Sequence, residues 1–96
     1  MPAYIPLANF TDQDARSIKD SPARFEAFKA MAESAGVSVK SVLWTTGAFD
    51  IVLVSDGPEE AVMGMNLNMA TMGNIGTQTW RAFSLAEMTK LVAGLA

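Results

Sequence analysis

Apolar and polar positions recur along this chain with two different periods, and the switches between them mark out its elements. Residues 3–10, AYIPLANF, are apolar at both odd and even positions, the pattern of a strand buried on two sides. Pro6 has no amide to donate, so it predicts a gap in the pairing or a bulge at that point. Thr11 can cap a short helical turn over residues 12–19. Ser21 before Pro22 is a stronger start, a capping side chain followed by the residue best tolerated in the first turn. From there Phe25, Phe28, Met31, Ala32 and Ala35 fall on one face at helical spacing and Gly36 supplies a stop, which predicts a helix over 22–35. Residues 37–46 and 48–55 are rich in β-branched and aromatic side chains and are broken by Gly47. They read as a hairpin, with Asp50 inside its second strand.

After Asp56, Gly57 and Pro58, the acidic pair Glu59 and Glu60 is placed where a helix N-terminus favours negative charge. The helix predicted over 58–72 has two apolar arcs. Ala61, Val62, Met65, Met69 and Met72 form one, and Met63, Leu67 and Ala70 the other, so it is expected to be covered on more than one side. Gly73 and Asn74 end it, and residues 75–83 form a last strand. Ser84 and Glu87 are spaced as a capping box for a short C-terminal helix whose Leu85, Met88, Leu91, Val92 and Leu95 are expected to point inward.

The order strand, helix, strand, strand, helix, strand, with right-handed crossovers, predicts an α+β, ferredoxin-like βαββαβ fold: a four-stranded antiparallel sheet, helices on one face, and the extra C-terminal helix. The other sheet face would present either Tyr4, Pro6, Ala8 and Phe10 or the alternates Ile5 and Leu7. Either set is an apolar patch large enough to call for a second chain.

Composition sharpens this. Ninety-six residues make one domain, residues 1–96, and at 50% hydrophobic against 18% charged the chain is too apolar for its size unless some of its surface is an interface. Cysteine and histidine are both absent, which removes disulfides, thiolate nucleophiles and the common transition-metal ligands. No metal and no cofactor is expected, and haem would find only weak axial candidates such as Tyr4 or a methionine. A net charge of −3, with seven scattered basic residues, gives no footprint for nucleic acid. No apolar run approaches the ~20 residues of a membrane span, and the N-terminus lacks the pattern of a secretory signal, so a cytoplasmic protein is expected.

Several segments together resemble one family. Asn9-Phe10-Thr11-Asp12-Gln13, Ile18-Lys19-Asp20-Ser21-Pro22, Trp44-Thr45-Thr46-Gly47-Ala48-Phe49-Asp50, Gly73-Asn74-Ile75 and Thr79-Trp80-Arg81-Ala82-Phe83 are similar to the GYD-domain proteins, small relatives of the dimeric α/β-barrel superfamily. Phe49 stands where the family's name motif has tyrosine, so no role of that hydroxyl carries over. The resemblance implies a ferredoxin-like fold of the dimeric α/β-barrel type and an oligomer formed through sheet faces. It implies no reaction.

Six residues are candidates for chemistry, each with a plainer alternative. Asp50, a carboxylate in an apolar strand, is suited to act as a general base, or it closes the hairpin or pairs with Arg81. Arg81 could bind a carboxylate ligand or simply neutralise Asp50. Asn66, between the two arcs of the Met-rich helix, could orient a ligand together with Asn9, or bond backbone at a subunit contact. Trp44 and Trp80 could stack on a planar ligand, or anchor a core or interface. The leading expectation is a binding or assembly module, a homo-oligomer joined through sheet faces with higher assembly through the Met-rich helix. The alternative is a cofactor-independent enzyme, monooxygenase- or isomerase-like, acting on a small apolar or aromatic compound between helices and sheet. Asp50 would be its base, Arg81 or Asn66 its anchor, and Trp44 or Trp80 its wall.

Overall fold

The computed structural model of the chain describes residues 2–12, 16–71 and 75–95. Its elements are β1 (Ala3–Asn9), α1 (Ser21–Ser34), β2 (Ser38–Trp44), β3 (Ile51–Asp56), α2 (Glu59–Thr71), β4 (Ile75–Ala82) and α3 (Leu85–Ala93), with a 3-10 turn at Ile18–Asp20 before α1. The four strands form one sheet in the order β2-β3-β1-β4, every neighbouring pair antiparallel. This is the ferredoxin-like arrangement predicted from the order of elements.

The register decides which residues face which way, because residues opposed across an antiparallel ladder share a face. Tyr4 opposes Ser55 and Arg81, Ala8 opposes Ile51, Pro6 opposes Thr79, and Val39 and Val42 oppose Ser55 and Leu53. That face meets the helices. Ala32 of α1, Val62 and Met65 of α2, and Val37, Val39 and Leu53 are buried there as one cluster. The other face carries Ile5 opposite Trp80, Leu7 opposite Val52 and Gln78, and Leu43 opposite Val52. The Ile5 and Leu7 set is therefore the one turned away from α1 and α2.

Pro6 behaves as its chemistry requires. The pairing of β1 with β3 passes from Tyr4 to Leu7 without a change of register and skips Ile5 and Pro6, while a bulge between Leu7 and Asn9 interrupts the other ladder. Beside the gap, the fully buried Ser55 hydroxyl donates to the Tyr4 carbonyl at 3.2 Å, so this polar side chain inside the core is satisfied.

Helix α1 starts one residue earlier than the Ser21-Pro22 pair suggests. Asp20 is its N-cap residue and makes no side-chain cap bond, whereas Ser21 lies inside the first turn and is buried. Its hydroxyl is occupied elsewhere, accepting from Trp44 Nε1 at 3.1 Å. The helix stops at Gly36, whose φ of 96° suits a residue without a Cβ. In the hairpin, Asp50 precedes β3 rather than lying within it. The predicted end of α2 at Gly73 and Asn74, and Met72 with it, fall outside the described residues.

Helix α2 buries one of its two arcs, Val62, Met65 and Met69, and leaves Met63 and Leu67 more than half exposed. Helix α3 differs more from expectation. Its capping box forms as predicted, Glu87 N–H donating to Ser84 Oγ at 3.1 Å and Ser84 N–H to Glu87 Oε1 at 3.0 Å. The Ser84 amide, more than any other group, holds the Glu87 carboxyl below its ordinary value, helped by Arg81. A depressed carboxyl stabilises the cap above the ordinary carboxylate range, and that contribution is lost as pH falls through the lowered value. The apolar stripe, however, does not point inward: Leu85, Met88, Leu91, Val92 and Leu95 are all exposed. Periodicity reports that a stripe exists and not what it meets, and here the described residues leave it largely open.

Two glycines separate close packing from open space. Ala at Gly57 would place its Cβ 3.1 Å from the Gly36 carbonyl oxygen and 3.3 Å from Val37 Cα, and backbone cannot step aside as a side chain would. Gly57→Ala is expected to lose about 1–3 kcal/mol. Gly64→Ala in α2, where a Cβ meets nothing within 4 Å, is expected to gain roughly 0.5–1 kcal/mol from helix propensity. Urea unfolding of the two variants checks both signs.

Candidate functional site

Small side chains over the middle of β1 leave space beneath α1. Pro6 and Ala8 of β1, Ile51 and Leu53 of β3, Phe25 and Phe28 of α1 and Met69 of α2 surround an apolar cavity of about 250 Å³, which Asn9, Phe10, Ser21 and Arg24 also border. Phe25 is held between Phe28, with ring centroids 6.5 Å apart, and Trp44, whose ring meets it edge-on at 6.0 Å. The bond from Trp44 to Ser21 fixes the first turn of α1 against β2. A cavity with such walls is suited to a small, mostly apolar molecule, about the size of one or two rings, oriented by a few polar groups at its edge.

Asp50 stands next to this cavity in sequence but is directed elsewhere. Its carboxylate Oδ2 accepts from the Phe10 amide at 2.8 Å, its own amide donates to the Ala8 carbonyl at 3.0 Å, and its carbonyl accepts from Thr45 N–H at 2.9 Å. One residue thus ties the β2–β3 hairpin to the end of β1 and positions Phe10.

The other candidates are spread over the molecule. Arg81 is at the opposite end of the sheet from Asp50, its guanidinium 4.3 Å from the Phe83 ring centroid and 5.5 Å from that of Tyr4. It donates to the Ala3 carbonyl at 3.1 Å and pairs with Glu87 at 3.4 Å. Trp44 is on the helix side and Trp80 on the open face, where its Nε1 donates to Gln78 Oε1 at 3.1 Å. Asn66 Oδ1 is buried and has no donor among the described residues. Of the six, Asn9 alone borders the cavity. Phe10, Phe25 and Phe28, which do line or border it, carry no signal distinct from core in the sequence, since aromatic residues three apart on a helix read first as packing.

The larger feature is the open sheet face. Leu43 is 57% and Trp80 53% exposed at its two outer strands, with Ile5, Val52 and Val54 partly exposed between them. Among the described residues no helix covers it, no group of acidic side chains could hold a metal ion, and no helix is long and apolar enough to cross a membrane.

The sequence pattern of the GYD domain matches residues 4–92. A curated protein of Thermus thermophilus, described as "Glutamine synthetase and cystathionine beta-lyase binding protein", is 28% identical over 90 residues, covering 92% of this chain and 95% of that protein. No solved structure matches.

The Asp50 tie gives a direct expectation. Asp50→Ala leaves the part-buried Phe10 amide without its acceptor and is expected to cost about 1–3 kcal/mol in chemical denaturation, whereas Asp50→Asn, which keeps an acceptor oxygen, is expected to lose less.

Proposed function

The chain belongs to the GYD-domain family, and on that premise we propose that it is a single-domain, cytoplasmic binding module that self-associates through its open sheet face and acts by contact with other proteins. The observation that carries the proposal is the open face itself. Five apolar side chains, Ile5, Leu43, Val52, Val54 and Trp80, lie on one side of the sheet with no helix over them among the described residues. At roughly 25 cal/mol per Å² of apolar surface, leaving such a patch in water forfeits several kcal/mol that a second copy can recover.

The outer arc of α2, with Met63 and Leu67 exposed, gives a second apolar surface for higher assembly or for a different protein. The name of the Thermus thermophilus relative supports the last possibility, since that protein is described as binding two enzymes and its similarity runs through nearly the whole of both chains. The absence of histidine and cysteine, and the small number of charged residues, suit a protein that works by contact.

The cavity beneath α1 supports a second reading, in which a small apolar or aromatic compound is held between helices and sheet with Asn9 at the edge. Its catalytic version adds Asp50 as base, with Arg81 or Asn66 as anchor and Trp44 or Trp80 as wall. In that version Asp50 keeps the Phe10 amide on Oδ2 and takes the proton on Oδ1.

Calorimetric titration of the protein with glutamine synthetase and with cystathionine β-lyase of its own source tests the leading proposal. Binding of either is expected, and Met63→Glu or Trp80→Arg is expected to weaken it about tenfold or more by placing a charge in an apolar contact. If neither enzyme binds while a small aromatic probe saturates the cavity, the second reading takes its place.

A further inference from the structure

Helix α3 leaves its apolar side largely exposed among the described residues. Every residue from Leu85 to Leu95 except Glu87 is exposed, Leu85 at 86% and Leu95 at 74%. The stripe is nonetheless a well-formed one: at 100° per residue Leu85, Met88, Leu91, Val92 and Leu95 occupy about a third of the circumference, and Glu87, Thr89 and Lys90 lie outside it. A helix of nine residues is marginal alone in water and gains most of its stability by packing such a stripe.

The root of the helix shows where that packing cannot be. The capping box fixes the direction of the first turn, and Arg81, which opposes Tyr4 on the helix side of the sheet, holds Glu87 at 3.4 Å while stacking on Phe83. These ties keep α3 away from the chain's own open face unless the cap is undone. The shape agrees. The Cα radius of gyration is 14.7 Å and the extents are 53 × 30 × 18 Å, whereas a compact chain of this length has a radius of about 12.5 Å.

Four strands about 4.8 Å apart and roughly 20 Å long offer a projected face of about 400 Å². A standard interface takes ~800 Å² of accessible surface from each partner, so area added at the rim of this face strengthens the contact. A helix about 13.5 Å long and roughly 10 Å wide adds about 135 Å² as donor, and in a two-fold arrangement its chain receives as much again from the partner's helix.

We propose that α3 is an exchanged arm: the apolar stripe of each copy packs on a second copy of this chain and completes the dimer that the open faces begin. The inference rests on the self-association proposed above and adds to it an element that enlarges the contact. Glu87 and Arg81 are positioning residues for the arm, and Met88 and Leu91 are contact residues.

Sedimentation equilibrium of the protein and of the double variant Met88→Glu, Leu91→Glu tests it. The unaltered chain is expected to be a dimer at micromolar concentration, and the double variant to dissociate about 100-fold more readily with the far-ultraviolet circular dichroism of the protomer preserved. Lys90→Ala, on the polar side, is expected to change dissociation less than about twofold. A double variant that dimerises as tightly as the unaltered chain overturns the arm and leaves the sheet-face dimer standing; an unaltered chain that sediments as a monomer overturns both. Methyl contacts between isotopically labelled and unlabelled copies give an independent reading: Met88 is expected to touch the other copy, and contacts confined to its own copy contradict the proposal.

Discussion

A β-sheet has two faces, and two helices that cross over on the same side can cover only one of them. That constraint governs this protein, because its strands are apolar on both parities. Tyr4, Pro6 and Ala8 go under the helices with Leu53 and Ser55, and Ile5, Leu7, Val52 and Val54 go to the other side. Leu7, at the centre of the open face with Val52 and Gln78 opposite it on either side, is only 5% exposed, while Leu43 and Trp80 at the outer strands are open. The uncovered face and the uncovered stripe of α3 are two instances of one imbalance: more apolar surface than a single copy can hide.

The covered side is held by a few polar ties whose effect is positional. Ser55 satisfies the Tyr4 carbonyl beside the gap that Pro6 opens, Trp44 reaches Ser21 at the start of α1, and Asp50 holds the Phe10 amide at the end of β1. Because these ties fix the ends of β1 and α1, the small side chains of Pro6 and Ala8 leave a cavity rather than a collapsed layer. Of the residues most conspicuous for chemistry in the sequence, Asp50 and Trp44 thus act here on the frame around the cavity and Asn9 stands at its edge, while Arg81 and Trp80 lie away from it.

Much of the architecture was legible before any coordinates, because strand order, the hairpin and the Ser84–Glu87 capping box depend on local spacing, which a sequence states directly. The gap in pairing at Pro6 was legible for the same reason. The direction of the α3 stripe was not, since amphipathic spacing is identical whether a helix faces its own core or another molecule. Neither was the cavity: it arises from where Phe25 and Phe28 stop short of Pro6 and Ala8, a tertiary distance that no spacing encodes. Asp50 looked like a buried strand residue because apolar neighbours follow it at once, yet β3 begins one residue later and leaves its side chain free to reach β1.

Whether a second copy covers the open face is read most directly from the mass of the protein in solution. Multi-angle light scattering at micromolar concentration is expected to give a dimer, twice 10.2 kDa or about 20 kDa, or a multiple of it. A mass of 10.2 kDa, with Leu43 and Trp80 left in water, would contradict it.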